Sequence, residues 1–381
     1  MLEPSSILSY YPKYTTLDSV CKDKYKQINI YIDLKNCLQS IYMEHVIKGL
    51  IETSEKENRI DSSVLTSVIS FLSFHKIYAI KRGYNIKFYI FYDLGSSFWH
   101  LNVYKGYKER RRSDDLYGLS REKIDFYFKI LQQNYLLIES ICKRIPNVYV
   151  TCLEHFEADF VPYYLIRNKL VDLNKDTCHL IYSNDKDLHQ ILKLDPNIYQ
   201  FVRKKKTFEV IKKDRVMSYF FKRESELPDD YFSIALAVHG DLGDDVPGIK
   251  GAGPASLNLI LDNIIKMGGG VEEILNNAFN DKKIFKNIPE RTNKNNLNKL
   301  LETIYNQEMN YGIISRNLKL VDFEILTRVL DEYPNIEYRE KQKKLRKSIL
   351  EKENEDINVM KKAIDRSRIY LEDYSLDVLY S

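Results

Sequence analysis

Carboxylates recur along this chain at spacings that could assemble a site for hard cations. They stand at Asp33, at Asp93, in the pairs Glu157 with Asp159 and Asp185 with Asp187, and at Asp241 and Asp244. The runs INIYID and IKFYIFYD each read as a buried parallel strand ending in an acid, and CHLIYSNDKD reads as a strand passing into an acidic turn. Ligand sites of open α/β sheets lie at the carboxyl edge of the strands, so successive strands would deliver these acids to one place. Each acid alone has a plainer explanation as a helix cap or a soluble loop residue. Gathered in one pocket, they would repel one another and raise their pKa values unless cations neutralised them. No Cys or His joins the set, so Mg²⁺ or Mn²⁺ suits these oxygen ligands better than zinc. Two such ions about 3.5–4 Å apart would support in-line attack of water on a phosphodiester.

Two further stretches carry chemistry. HGDLGDDVPGIKGAGPASLNLIL, His239 to Leu261, runs from carboxylates through Gly248, Gly251 and Gly253 into an apolar helical pattern beginning near Pro254. Such a turn brings backbone N–H groups up to a phosphate, and the following helix points its positive end at the same place. A helix–turn connection without a ligand has much the same composition. After Asp93, Trp99, Tyr104 and Tyr107 interleave with Lys105, Lys108, Arg110, Arg111 and Arg112. Aromatics among cations suit a nucleic-acid strand, whose bases stack while its phosphates pair with the charges. A solvated surface loop is the plainer reading. The run Arg203 to Lys206 is a weaker candidate for phosphate contact.

The elements that must position these residues are those of an α/β protein with a mainly parallel sheet flanked by helices. Strands are expected at Ile28–Asp33 and Ile86–Asp93, and helices at Leu38–Leu50, Ser63–Gly83 and Arg121–Ile145. NIYQFVRKKKTFEVI reads as a β-hairpin, and residues 214–331 as chiefly helical, including Asn258–Met267, Val271–Asn280 and Leu297–Ile314. Glu157 and Asp159 fall near a helix start, where the helix dipole alone would favour them. The 381 residues allow about two or three domains with a buried core. The expected division is an N-terminal extension over 1–27, a core over 28–220 containing a segment of special character at 94–125, a helical region over 221–331 and a charged tail over 332–381. Five cysteines, an odd number without a CxxC pair, argue against a disulfide framework or a zinc site. The start of the chain has no secretory pattern, and no apolar run reaches about 18 residues. A soluble cytoplasmic protein is expected. The net charge of +4 is too small to identify a nucleic-acid binder by itself.

With these motifs in order, the sequence resembles the 5′ nuclease family: flap endonucleases, bacterial 5′–3′ exonuclease domains and phage 5′ exonucleases, including the phage ribonuclease H type. The resemblance rests on YID at Asp33, FYDLGSSFWH followed by GYKERR, FEADF, SNDKDLHQ and GDLGDDVPGIKGAGPAS, and NYGIISRNLKLVDF resembles the close of phage members. It implies a PIN-like core, a helical arch or clamp over 94–125 and a helix–three-turn–helix that grips duplex DNA. It implies that Asp33, Asp93, Glu157 and Asp159 hold a first metal, and that Asp185, Asp187, Asp241 and Asp244 build a second site. Lys108 matches the lysine that steers the scissile phosphate. His100, Lys105, Tyr107, Lys108, Arg110, Arg111, Gly248, Lys250, Gly251, Gly253 and Ser256 would face nucleic acid.

Two departures stand out: His100 where many relatives have Arg, and Phe160 where bacterial relatives often have a second Asp. The activity implied is Mg²⁺-dependent hydrolysis of 5′ flaps or 5′ ends of DNA or RNA–DNA duplexes in replication and repair, leaving a 5′-phosphate and a 3′-hydroxyl. Mn²⁺ would substitute, and a potassium ion at the Gly248–Gly253 turn is compatible with the family. A monomer is expected, with a replication-protein partner at the tail and, for a phage-encoded chain, action in the host cytoplasm. The rival readings are a scaffold relative that has lost catalysis and an RNA-directed nuclease with a similar acidic sheet.

Overall fold

The computed structural model describes residues 12, 14–21, 24–35, 62–93, 97–112, 121–153, 156–204, 207–254, 256–258, 261, 302–304, 306–308 and 311–332. In chain order, α1 (Tyr14–Asp18) precedes β1 (Gln27–Asp33), and α2 (Ser62–Arg82) leads into β2 (Asn85–Phe91). Helices α3 (Phe98–Val103) and α4 (Arg121–Cys142) come before β3 (Val148–Thr151), and α5 (Phe160–Arg167) before β4 (Thr177–Tyr182). The hairpin β5 (Ile198–Lys204) and β6 (Thr207–Ile211) is followed by α6 (Val216–Phe221) and α7 (Phe232–His239). The short strands β7 (Gly240–Asp241) and β8 (Val246–Pro247) then precede α8 (Ile313–Val321) and α9 (Phe323–Glu332).

The main sheet has the order β3-β2-β1-β4-β5-β6, parallel except for the antiparallel edge strand β6. Strand order therefore reverses between β1 and β4, and the crevice beyond their carboxyl ends is where such sheets bind ligands. Strand β1 alternates its side chains between two layers: Ile28, Ile30 and Ile32 pack against α1, α2 and α4, while Tyr31 faces α5 on the other side. Tyr31 stacks on Tyr89 at 5.1 Å and Tyr89 on Tyr149 at 5.2 Å, one ring from each of three neighbouring strands. The Tyr31 hydroxyl also bonds His179 Nδ1 on β4 at 3.0 Å. This ladder fixes the register, because a slip of one residue would turn every ring to the opposite face. Register in turn decides which acids share the edge.

The expected strands and hairpin are present within a residue or two, although β2 stops at Phe91 and leaves Asp93 in the loop beyond it. The expected helices 63–83 and 121–145 occur as Ser62–Arg82 and Arg121–Cys142. The stretch Leu297–Ile314 is not one helix: Gly312 sits at φ 58°, and α8 starts afresh behind it. The buried Glu308 carboxylate accepts the Ile314 amide at 2.5 Å and the Ser315 amide at 3.2 Å, capping this new start. Ahead of β1, Leu17, Val20, Cys21 and Tyr25 are buried in the core. The helices expected at 38–50 and 271–280, and the tail beyond 332, lie outside the described residues. Among the described residues, no helix is long and apolar enough to cross a membrane.

Close backbone approach at the β7–β8 pair requires glycine. A Cβ on Gly248 would lie 2.0 Å from the His239 carbonyl oxygen, whereas one on Gly253 would meet nothing within 4 Å. Gly248→Ala is therefore expected to cost about 1–3 kcal/mol, and Gly253→Ala to leave stability near wild type, measured by urea unfolding. Equal midpoints for the two variants would contradict this packing.

Candidate metal centre

Three carboxylates, those of Asp159, Asp185 and Asp187, bring ligand oxygens within 4.8 Å of one another. They arrive from two elements. The turn after β3 enters α5 through Glu157 and Asp159, and the loop after β4 enters a 3-10 turn at Asp187. Asp159 occupies the position before α5, yet its side chain accepts no capping hydrogen bond. Helix capping therefore does not account for it. The β4 loop is folded on its own polar groups: the Asp187 amide donates to Asp185 Oδ1 at 3.0 Å, and the Asp185 amide to Ser183 Oγ at 3.1 Å. The Ser183 hydroxyl in turn donates to Asp33 Oδ2 at 3.3 Å, which ties the end of β1 to the same loop.

Four of the outer carboxylates, Asp93, Glu157, Asp241 and Asp244, have a lysine. Lys35 Nζ lies 2.6 Å from Asp93 Oδ2, and the other oxygen of Asp93 accepts the Ala158 amide at 2.7 Å. Lys186 Nζ lies 2.9 Å from Asp241 Oδ2, while Asp241 Oδ1 caps the Gly243 amide at 2.9 Å. Lys108 Nζ pairs with Glu157 and lies 3.4 Å from Asp244 Oδ2. The Tyr107 hydroxyl reaches Glu157 at 2.9 Å and Asp244 at 3.0 Å. All the expected acids except Asp33 thus interact electrostatically or by hydrogen bonds around the inner three, and Asp33 joins through Ser183.

Electrostatics divide the set. Burial raises the pKa of Asp159, and the neighbouring charges of Glu157, Asp185 and Asp187 raise it further. Asp187 is raised by burial and then by Asp185 and Asp241, and Asp185 is raised chiefly by burial. Burial pushes Glu157 the same way, but the Lys108 and Lys35 ammonium groups outweigh it and hold its carboxyl well below the ordinary range. Among the described residues, no ion pair reaches Asp159, Asp185 or Asp187, and the buried Asp187 Oδ1 has no hydrogen-bond partner. Clustered oxygens short of positive charge fit a hard divalent cation.

Several residues expected to face nucleic acid do other work. His100 is 3% exposed; its Nε2 donates to the Leu320 carbonyl at 2.9 Å, and its Nδ1 is bonded by Ser97 Oγ. Burial lowers its pKa, so the ring is a neutral prop that stacks on Tyr107 at 4.6 Å. Tyr107 is 5% exposed and spent on the carboxylates, while the Arg110 guanidinium pairs with Asp245. Lys108 sits in a turn at φ 53° between α3 and a 3-10 turn, Glu109–Arg112, and not on a helix. Lys105, Lys250, Gly251 and Gly253 are exposed, Gly248 and Ser256 are partly buried, and the Arg111 side chain lies outside the described residues. Phe160 is buried among Phe156, Tyr164 and Phe323, so an acid could not occupy its place without losing that packing.

Sequence reasoning did not single out Lys35, Lys186 or Ser183. The available signal was position: Lys35 two residues after Asp33, Lys186 between the acids of NDKD. It also missed Gln190, whose Nε2 donates to the Val321 carbonyl at 2.7 Å and whose Oε1 accepts the Phe323 amide at 3.0 Å, anchoring α8 and α9 beneath the centre.

No family model matches the chain. It is 35% identical over 134 residues to a 5′-3′ exonuclease of Aquifex aeolicus (strain VF5), a stretch covering 35% of this chain and 41% of that protein. The match thus spans less than half of that relative. A bacteriophage T5 flap endonuclease, solved as a pseudo-enzyme–product complex with DNA and metal ions, shares the fold with a TM-score of 0.55 and 17% identity over 85% of this chain and 100% of its own. The T5 protein co-crystallised with metal ions gives 0.56 and 18%, covering 85% and 98% of the two chains. The chain has the fold of these phage nucleases.

The pKa directions set a stability test. Asp159, Asp185 and Asp187 are raised in the folded state, so native protein holds protons that the unfolded chain has already released above about pH 4. In chelator, the contribution of these three groups to stability is fully present below that range and is lost as pH rises through the folded values. Asp187→Asn removes one such charge. It is expected to unfold at a higher temperature than wild type at pH 7 in EDTA, a gap that closes by about pH 4. Added Mn²⁺ should raise the wild-type midpoint more than the variant's. Identical melting curves at pH 7 in EDTA would contradict the electrostatic assignment.

Proposed function

We propose that this protein is a divalent-metal-dependent 5′ nuclease acting on 5′ ends or 5′ flaps of duplex nucleic acid. The observation that carries the reading is the Asp159, Asp185 and Asp187 group, unpaired by any cation among the described residues and flanked by Lys108 at the carboxyl edge of a parallel sheet. The similarity to a 5′-3′ exonuclease supports the reaction class, and the phage neighbours solved with DNA and metal ions support the substrate and the cofactor.

In this reading Asp159, Asp185 and Asp187 hold the metal, with Glu157, Asp241, Asp244, Asp93 and Asp33 around them. Mg²⁺ is the natural ion and Mn²⁺ its substitute; bound as a pair, they would supply an activated water and charge relief at the leaving oxygen. Lys108 reaches Glu157 and Asp244 and presents its ammonium to the scissile phosphate, where it offsets charge growing in the transition state. Tyr107 and the neutral His100 keep the lysine's turn in place. The exposed Lys250, Gly251 and Gly253 offer backbone and side-chain donors to duplex phosphates at the start of the helix at Pro254. A potassium ion at that turn, an RNA–DNA substrate and a partner at the tail belong to the same reading on the strength of the resemblance.

Cleavage of a 5′-flap duplex in Mg²⁺ tests it. Wild type should cut, and Asp185→Asn and Lys108→Met should each lose about 10²-fold or more in kcat. Equal cutting by wild type and Asp185→Asn would defeat the assignment.

A further inference from the structure

The turn at 104–112 and the loop at 240–247 meet through more than the catalytic groups. Arg110 binds that loop through three donors. Its backbone amide donates to Asp245 Oδ2 at 2.9 Å, its Nε pairs with Asp245 Oδ1, and its Nη2 donates to the Leu242 carbonyl. One residue pair earlier, the Lys108 amide donates to the Asp244 carbonyl at 2.8 Å. Both segments adopt a conformation that non-glycine residues seldom visit, Lys108 at φ 53° and Asp245 at φ 58°. Each such residue costs about 1 kcal/mol and persists only where surrounding contacts fix it.

We propose that Arg110 and Asp245 form a latch between these two segments, a positioning pair that sets Lys108 and Tyr107 against Glu157 and Asp244. The reason lies in which carboxylates are used. The side chains of Tyr107 and Lys108 reach Asp244 of that loop and Glu157 ahead of α5, and these carboxylate oxygens belong to the acidic centre and are wanted by a cation or displaced by a phosphate. Asp245 stands outside that set, with a side chain only 15% exposed. Its pairing with Arg110 holds the two segments in register whatever the centre carries. The planar guanidinium spans two acceptors of the loop, Asp245 Oδ1 through Nε and the Leu242 carbonyl through Nη2, while the Arg110 amide takes Asp245 Oδ2, which leaves little freedom for the joint to slide. Arg110 in this arrangement is committed to protein, so it does not serve as a phosphate contact.

The kinetic part of the test rests on the nuclease reading, and the exchange part does not. In the full-length chain, hydrogen exchange by mass spectrometry would follow the peptide carrying the Lys108 and Arg110 amides in wild type, Arg110→Ala, Asp245→Asn and the double variant. Asn is chosen because it tolerates the left-handed conformation. The latch predicts faster exchange in each single variant and no further increase in the double, as for two halves of one interaction. Exchange unchanged in both single variants, or effects that add fully, would overturn it. On a 5′-flap duplex with Mg²⁺, Arg110→Ala should lower kcat about tenfold with KM little changed. Duplex binding by that variant should keep the wild-type slope of log Kd against log salt. A slope reduced by about one, the mark of a lost phosphate contact, would overturn the latch in favour of direct binding. If wild type fails to cut any flap substrate, the nuclease reading falls and exchange alone decides the latch.

Discussion

Three carboxylates whose oxygens lie within 4.8 Å of one another, partly withdrawn from water, set a demand that the rest of the molecule meets. Their mutual repulsion and desolvation oppose folding, and the raised pKa values of Asp159, Asp185 and Asp187 are the direct expression of that opposition. A chain would gain nothing from burying unpaired like charges, so the cost points to a bound cation as the partner for which they are arranged. The surrounding lysines fit this division. Lys35, Lys108 and Lys186 pair with Asp93, Glu157, Asp244 and Asp241 and leave the inner three without an ion pair among the described residues.

Holding such a centre together requires rigidity at several distances. The tyrosine ladder across β1, β2 and β3 fixes strand register, and hence which loops carry acids to the edge. Nearer the centre, backbone amides clamp individual carboxylates, as Ala158 does for Asp93 and Gly243 for Asp241. From the far side, the closing helices act as a brace. Gln190 binds the α8–α9 junction, Asn317 donates to the Ala237 carbonyl at 2.7 Å and the Pro247 carbonyl at 2.9 Å, and the Leu320 carbonyl holds His100. Segments far apart in sequence are thus joined at one edge by buried, satisfied polar contacts, which specify a single geometry better than apolar packing alone.

Much of this was legible in the residues. Apolar runs ending in acids gave the strands and their polarity, because a doubly covered parallel strand must be apolar on both faces and a carboxylate can stand only where it ends. The Gly-rich turn was legible for a similar reason: Gly248 leaves no room for a Cβ. What could not be read was side-chain direction in the polar segment 97–112. Composition alone made Tyr107 and Arg110 resemble a nucleic-acid surface, yet tertiary contacts turn Tyr107 inward onto Glu157 and Arg110 onto Asp245. His100 misled likewise, since a lone histidine carries no sign of whether its ring will be buried and neutral or exposed and charged. The counter-ions Lys35 and Lys186 were overlooked because a lysine beside an acid in sequence is usually a solvated neighbour.

That Asp159, Asp185 and Asp187 converge in order to bind divalent cations is open to direct test. Anomalous diffraction from a crystal soaked in Mn²⁺ addresses it most directly. At least one strong peak is expected within about 2.0–2.6 Å of oxygens from these three residues. Manganese found elsewhere on the molecule, with no density between Asp159, Asp185 and Asp187 at saturating concentration, would contradict it.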